Sequence, residues 1–465
     1  MKSSCHYERS AAISLFKIYT KGLLRLVVPR NDDTSEVSLL YRHTFRFMTE
    51  NSNIQTDKKL ILAEAGRCVA CGLCLPHCPT YQLAQLETES PRGRISFISA
   101  LASGELDASE NLNKLLQHCL LCRACEKMCP SSVPFGRLMD KSRHLYRQMV
   151  ETKSVTNTTV EKLIDFSLRN PEWLRVGARF TWPISRFSRK NIKRAEHNHQ
   201  RKRSFVDYLP SIQAHKQWKN EYPVDNSDKQ VSLFLGCVSR SLDGGTLDDV
   251  IYVLNKIGYS VNIPEQQVCC GALSLHAGRE KESVAMMQKN IQAFAATELP
   301  VIHVASGCGS TLSAYHHYLT DDGFSDRINE ACHFVDRHWP EGTVITSRKM
   351  KVLLQTPCSL ECSSANTSAP FHLLNRFVDI DLQMVSSPYS CCGAAGTTML
   401  TDFNTSNSLR DPVLEQINEE RPDVVVSSNI GCALHLSEGL RKAGIDIPVR
   451  HPISLVADIL RNQLI

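Results

Sequence analysis

Eight cysteines in two runs of identical spacing constrain this chain more than any other feature. The first run is Cys68-x2-Cys71-x2-Cys74-x3-Cys78-Pro79; the second is Cys119-x2-Cys122-x2-Cys125-x3-Cys129-Pro130. Three thiolates separated by two residues each can wrap three irons of an iron–sulfur cube, and the fourth iron then needs a thiolate from elsewhere. The expected ligation is therefore crosswise. Cys68, Cys71, Cys74 and Cys129 would hold one [4Fe–4S] cluster, and Cys119, Cys122, Cys125 and Cys78 the other. Pro79 and Pro130 turn the chain away after the last ligand without requiring a backbone donor. Structural zinc sites usually show paired C-x2-C knuckles, so two four-cysteine runs ending in proline favour cubanes.

The step of 41 positions from Cys78 to Cys119 exceeds what a compact β-hairpin ferredoxin would need. Within them Pro91-Arg92-Gly93-Arg94 opens a helical pattern over Ile95–Ala102, and Leu112, Leu115 and Leu116 carry a second helix into Cys119. Helices bearing the motifs predict an all-α ferredoxin-type domain over 58–150. Arg92 and Arg94 read first as a solvated helix start, with balancing of cluster charge or partner contact as the alternative.

The chain has 465 residues, 19 of them cysteine, and a net charge of +5. Clustered cysteines in a long chain favour metal ligation in a reducing compartment over a disulfide framework. The charge is too mild to imply nucleic acid. No run of about 18 apolar residues is present to span a membrane, and the expected location is cytoplasmic, with peripheral docking on the inner face of the membrane as an option. Residues 1–57 are expected to be a non-native or disordered extension, with Met48 as the native start. Residues 151–228 read as a connecting region. It has short helices over Glu161–Arg169 and Trp173–Phe180, then eight Lys or Arg and one Glu between Arg186 and Arg203. That run suits a solvated linker, or docking to anionic lipid or an acidic partner.

The second half contains a duplication. One copy has Val231–Cys237, Cys269-Cys270-Gly271 and Val301–Gly309 with Cys308; the other has Val352–Cys358, Cys391-Cys392-Gly393 and Val424–Cys432. The first interval is 32 residues in one copy and 33 in the other, and the second is 38 and 40. Each β-branched run ends at a cysteine and leads into a helical stretch, the pattern of parallel strands in α/β units. The predicted fold is thus α plus α/β, with CCG domains over 229–345 and 346–465. Cys237, Cys269, Cys270 and Cys308 would converge in the first copy. Cys358, Cys391, Cys392 and Cys432 would do so in the second, joined by Cys362 one helical turn after Cys358. Ser241 matches Cys362 in the first copy. Gly271 and Gly393 would admit close backbone approach. Cys5 and Cys332 lack motif context and read as ordinary thiols.

Two cluster motifs followed by two CCG copies resemble the iron–sulfur subunit of the glycolate oxidase family. The resemblance is carried by Arg67–Cys74, Cys78-Pro-Thr-Tyr-Gln82, Pro91–Ile95, Cys269-Cys-Gly-Ala and Asn429–Cys432. The CCG copies also resemble those of heterodisulfide reductase and of lactate-utilisation and anaerobic glycerol-3-phosphate dehydrogenase subunits. In the heterodisulfide reductase pattern each copy ends in C-x-x-C, giving five thiolates. Here Thr311 and His435 stand at the last position, so that site is incomplete. The resemblance implies two [4Fe–4S] clusters, a further iron–sulfur or metal centre in the CCG copies, and an FAD-containing 2-hydroxy-acid oxidase partner. Electrons would pass to a quinone or similar membrane acceptor. No G-x-G-x-x-G follows a predicted strand, so no NAD or FAD site is expected in this chain, nor catalysis by the chain alone. A thiol–disulfide enzyme, or a subunit for lactate or glycerol-3-phosphate, are the alternatives.

Overall fold

The computed structural model describes residues 54–151, 217–342, 345, 348–362, 367–387, 389 and 391–462. Met48, the expected helices over 161–169 and 173–180, and the basic run over 186–203 lie outside these. The architecture below is that of the described residues within the compact unit 57–465. None of the described helices is long and apolar enough to cross a membrane.

The first cysteine motif follows a helical stretch over 57–65 and leads into α1 (Pro79–Ala84). Next come α2 (Pro91–Ser103) and α3 (Glu110–His118). Pro91 sits in the first turn of α2, where no backbone donor is missed. The Ser90 hydroxyl accepts from Gly93 N–H at 2.9 Å, capping that end. Ile95, Ile98, Leu101 and Ala102 are buried on one face, as their spacing predicts. α3, capped by Ser109, ends at Cys119, and α4 (Phe135–Glu151) closes the helical region.

The duplicated half forms two sheets. The first has strands β1 (Glu221–Tyr222), β2 (Gln230–Phe234), β3 (Ser260–Asn262), β4 (Val301–His303) and β5 (Ile328–Glu330), in the order β1-β3-β2-β4-β5. The second has β6 (Met350–Leu354), β7 (Ile380–Met384), β8 (Val424–Val426) and β9 (Val449–Arg450), in the order β7-β6-β8-β9. Apart from the antiparallel β1, every pairing is parallel, and β3-β2-β4-β5 repeats as β7-β6-β8-β9. Leu233 pairs with Ile302 in one copy, as Leu353 pairs with Val425 in the other. The β-branched runs lie at the centres of these sheets, where strands are covered on both faces.

The helices that bear on the sites are α5 (Cys237–Leu242), α6 (Gly244–Lys256), α7 (Ala272–His276), α8 (Ser306–Leu312) and α9 (Ala331–Arg337) in the first copy, and α10 (Cys358–Glu361), α11 (Phe403–Glu420), α12 (Ile430–Lys442) and α13 (Pro452–Asn462) in the second. α5 and α8 start directly beyond β2 and β4, as α10 and α12 do beyond β6 and β8. The copies share a core between them, and each also packs a buried cluster of its own. Val231, Leu233 and Leu254 belong to the same buried cluster as Val352, Leu354 and Ile453. Arg461 adds an ion pair to Asp249 at 2.7 Å across the two, and Ser306 N–H donates to Ser428 O at 3.0 Å.

At this seam Glu330, Cys332 and His451 bring a carboxylate, a thiol and an imidazole within 4.8 Å of one another, all buried. Glu330 and His451 serve as helix caps rather than as a metal set, and Cys332 hydrogen-bonds the Glu330 carboxyl. Glu330 accepts from His333 N–H at 2.9 Å, and His451 Nδ1 accepts from Ile453 N–H at 3.1 Å. A neutral imidazole accepting through Nδ1 carries its proton on Nε2 and has no lone pair left for a metal. Burial raises the Glu330 carboxyl from about 4.5 to about 7. The folded state therefore takes up a proton that the unfolded chain has released. The stability this contributes is full below about pH 4.5 and lost as pH rises through about 7. Glu330→Gln keeps an accepting oxygen and removes the ionisation. It is expected to raise the thermal midpoint at pH 8 by the equivalent of about 1–3 kcal/mol and to leave it nearly unchanged at pH 5; an equal shift at both values would disprove the account.

Candidate metal centres

Each motif loop wraps its thiols through left-handed backbone at matching positions. Ala70 and Gly72 have φ of +53° and +83°, and Leu121 and Arg123 have +53° and +62°. Two cavities result. One is lined by Cys68, Cys71, Cys74 and Cys129, the other by Cys78, Cys119, Cys122 and Cys125. Each cavity therefore draws its fourth thiol from the opposite motif, although Cys125 also touches the first. Burial pushes the thiols of Cys122 and Cys125 well above their usual range, and that of Cys74 upward. Thiolates there need positive charge close by, which iron supplies. Four soft donors in each of two pockets fit [4Fe–4S] ligation.

Arg94 corrects the sequence reading. It is not a solvated helix start: its side chain is 1% exposed and lines the second cavity. The guanidinium donates to Leu115 O and to Thr80 Oγ1 at 3.1 and 3.0 Å, and it pairs with Glu89. Thr80 Oγ1 in turn lies 3.4 Å from Cys78 Sγ. Arg92 is the more exposed of the two. It pairs with Glu87 and donates to Ala70 O at 3.1 Å, tying down the first loop. Arg143 on α4 escaped the sequence reading. Its guanidinium donates to Leu116 O and Cys119 O at 2.6 and 2.7 Å, fixing the start of the second motif. In the sequence it stands one helical turn from Asp140 and Arg147, where an arginine reads as solvated.

In the duplicated half the thiols meet at the carboxyl ends of the strands. In the first copy Cys237 Sγ donates to Cys269 Sγ at 3.4 Å, and Cys270 is hydrogen-bonded to both Cys269 and Cys308. In the second, the Cys358 thiol donates a hydrogen bond to Cys391, and the Cys392 and Cys432 sulfurs lie 2.7 Å apart. The first cysteine of each triplet is the acceptor. Donation from Cys237 and Cys270 holds the Cys269 thiol well below its usual range, and donation from Cys358 lowers Cys391. The amides of Gly271 and Gly393 add bonds at 3.5 and 3.4 Å. A lowered thiol pKa favours the thiolate, the form that binds metal.

Both glycines have positive φ, and both lie against a serine. A Cβ on Gly271 would come within 2.5 Å of Ser283 Oγ, and one on Gly393 would run into Ser406 O. Ser283 and Ser406 donate to Gly271 O and Gly393 O at 3.0 and 2.8 Å, bracing each thiol loop. His435, at the position where a fifth thiolate would stand, hydrogen-bonds Ser406 Oγ at 2.9 Å. Thr311 donates back to Gly307 O. Cys362 follows the single turn of α10, and its amide donates to Cys358 O at 2.9 Å. Its thiol is raised to about 11, chiefly by burial, and lies in electrostatic range of Cys391.

The helical region and the second copy are joined at their thiols. Leu120 packs with Cys391, Leu409 and Cys358, and Cys122 interacts electrostatically with Cys391. Lys127 reaches Glu361 at 3.3 Å. Towards the first copy, α4 docks on α7 through Arg143 to His276 O at 2.8 Å and Asp140 to His276 at 2.9 Å.

Thiol-lined cavities on helices, followed by thiol clusters at two parallel-sheet edges, define an iron–sulfur protein. Residues 64–133 match the 4Fe-4S dicluster domain family, and residues 231–313 and 352–437 match the cysteine-rich domain family CCG. Over most of its length the chain is similar to glycolate oxidase iron–sulfur subunits. It is 29% identical to the probable glycolate oxidase iron-sulfur subunit of Bacillus subtilis (strain 168), covering 86% of this chain and 95% of that protein. Identity to the glycolate oxidase iron-sulfur subunit of Escherichia coli (strain K12) is 27%, covering 85% and 94%. Lactate utilization protein A of Halalkalibacterium halodurans is 25% identical and matches 50% of this chain and 97% of its own length.

Proposed function

We propose that this chain is the electron-transfer subunit of a glycolate or related 2-hydroxy-acid dehydrogenase. It would accept electrons from an FAD-containing partner and pass them to a quinone or similar acceptor. The observation that carries the reading is the pair of four-thiol cavities, each completed by a cysteine of the opposite motif. Such paired pockets suit two single-electron carriers held side by side. In this reading an all-α ferredoxin-type domain spans 58–150, and CCG domains span 229–345 and 346–465. Cys68, Cys71, Cys74 and Cys129 hold one [4Fe–4S] cluster; Cys119, Cys122, Cys125 and Cys78 hold the other. Bound there, the clusters supply reversible one-electron chemistry at potentials set by charge, hydrogen bonding and exposure. The chain's own residues do the rest. Arg94 and Arg143 place positive charge and donors around the second motif, and the apolar linings limit water.

The reading is tested by purifying the full-length chain with its partners and assaying 2-hydroxy acids against quinone-like dyes. Dye reduction that needs both the hydroxy acid and this chain is expected. Full activity in a complex stripped of this chain would overturn it.

The thiol clusters of the duplicated half are the place for a further centre, with the second copy the firmer site because Cys362 has no thiol counterpart at Ser241. Metal analysis of the full-length protein should show Cys358→Ser losing more of any metal beyond the cubane iron than Cys237→Ser does. The opposite order would remove Cys362 from the account.

A further inference from the structure

The two motif loops turn through left-handed backbone at matching positions, Ala70 with Leu121 and Gly72 with Arg123, so the residues beside these turns correspond; what differs is their cover. In the second loop Leu120 and Ala124 are 9% and 8% exposed. The second copy lies over Leu120 and sets Cys358 and Cys391 beside Cys122. The matching residues of the first loop are Val69 and Leu73, and these are 70% and 56% exposed. They flank Cys71, the one exposed thiol of the eight. Large apolar side chains at such exposure on either side of a ligand are a surface built to be covered.

We propose that Val69, Cys71 and Leu73 form the docking face for the flavin-bearing redox partner. Internal symmetry identifies the kind of occupant. The same apolar collar in the second loop is covered by a domain that brings its own redox-capable sulfurs to the ligand, and among the described residues the first loop has no such cover. Electron tunnelling falls steeply with distance, so a partner must approach the most exposed ligand. The loop is also preorganised: the Arg92 bond to Ala70 O fixes it before docking, which lowers the ordering cost of association. The inference rests on the functional reading above and assigns its geometry. The hydroxy acid gives up two electrons and two protons at the partner's flavin. The electrons cross this face singly and reach the quinone, which takes up two protons, so the oxo acid and quinol are the balanced products.

The test is amide hydrogen exchange over residues 66–75 of the full-length, cluster-loaded chain. It is measured alone and with the FAD-containing subunit purified alongside it from native cells. Exchange is expected to slow at least tenfold on adding the flavoprotein. The Val69→Glu/Leu73→Glu double variant should lower the rate of reduction by glycolate-reduced flavoprotein at least tenfold per EPR-counted cluster, with reduction by dithionite as reference. If that variant loses its clusters, the exchange result on the unaltered chain decides. Unchanged exchange, or protection already present in the chain alone, would overturn the proposal. Partner-dependent protection without reduction by any 2-hydroxy acid would instead refute the functional reading and leave the docking face standing.

Discussion

Cys78→Ser is expected to cost the protein about half of its iron, taking it from about eight to about four atoms per chain, with the loss at the centre of the second motif. Cys78 sits in the first motif, yet its sulfur lines the cavity of Cys119, Cys122 and Cys125. Cys129→Ser should do the reverse, because Cys129 lines the cavity of Cys68, Cys71 and Cys74. EPR of the anaerobically reduced protein distinguishes them: each variant should keep one centre and lose the magnetic interaction between two. Electron flow from the flavoprotein to a quinone-like dye should fall by orders of magnitude in both. If Cys78→Ser strips the centre of its own motif and spares the other, the crosswise assignment is wrong.

The second large effect is on stability. Arg94→Met removes a guanidinium that is 1% exposed and leaves Glu89, itself only 10% exposed, without that partner. Breaking a buried pair from one side costs about 3–5 kcal/mol. Thr80 Oγ1 and Leu115 O lose donors in the same step. Arg94→Lys should recover little, because one ammonium cannot address these separated acceptors as the planar guanidinium does. Arg92→Met, on the more exposed pair with Glu87, should stay within about 1 kcal/mol of the parent. Anaerobic denaturant unfolding, followed by cluster absorbance and circular dichroism together, checks the set. Equal midpoints for Arg94→Met and Arg92→Met would show that the buried network contributes nothing particular.

Local patterns carried the parts of the molecule that were legible in advance. That the eight motif cysteines gather in two cavities is legible from spacing because each motif loop is itself local, and the duplication is read from repeated intervals. Gly271 and Gly393 were legible because close approach leaves few alternatives to glycine. The misreading of Arg94 has a physical reason. Arginine in a first helical turn is ordinarily wet, and only Glu89 and Thr80, from neighbouring elements, make this one dry. Arg143, 24 residues from the carbonyl of Cys119, gave no periodic signal either. The same holds for the contact of Leu120 with Cys391: no interval in the chain encodes which loop is covered and which left open.

The common core of the two copies has a consequence for how such a protein can change. A substitution among Val231, Leu254, Val352 or Ile453 disturbs both repeats at once, so the interior is answerable to two sites together. Each strand-end loop carries the thiols of one site, and the two rims touch where Ser306 N–H donates to Ser428 O. A duplicated chain of this kind therefore has its shared interior yoked, while rim positions away from that contact are free to drift. Ser241 opposite Cys362 and Thr311 opposite His435 mark how far apart the two rims have already moved.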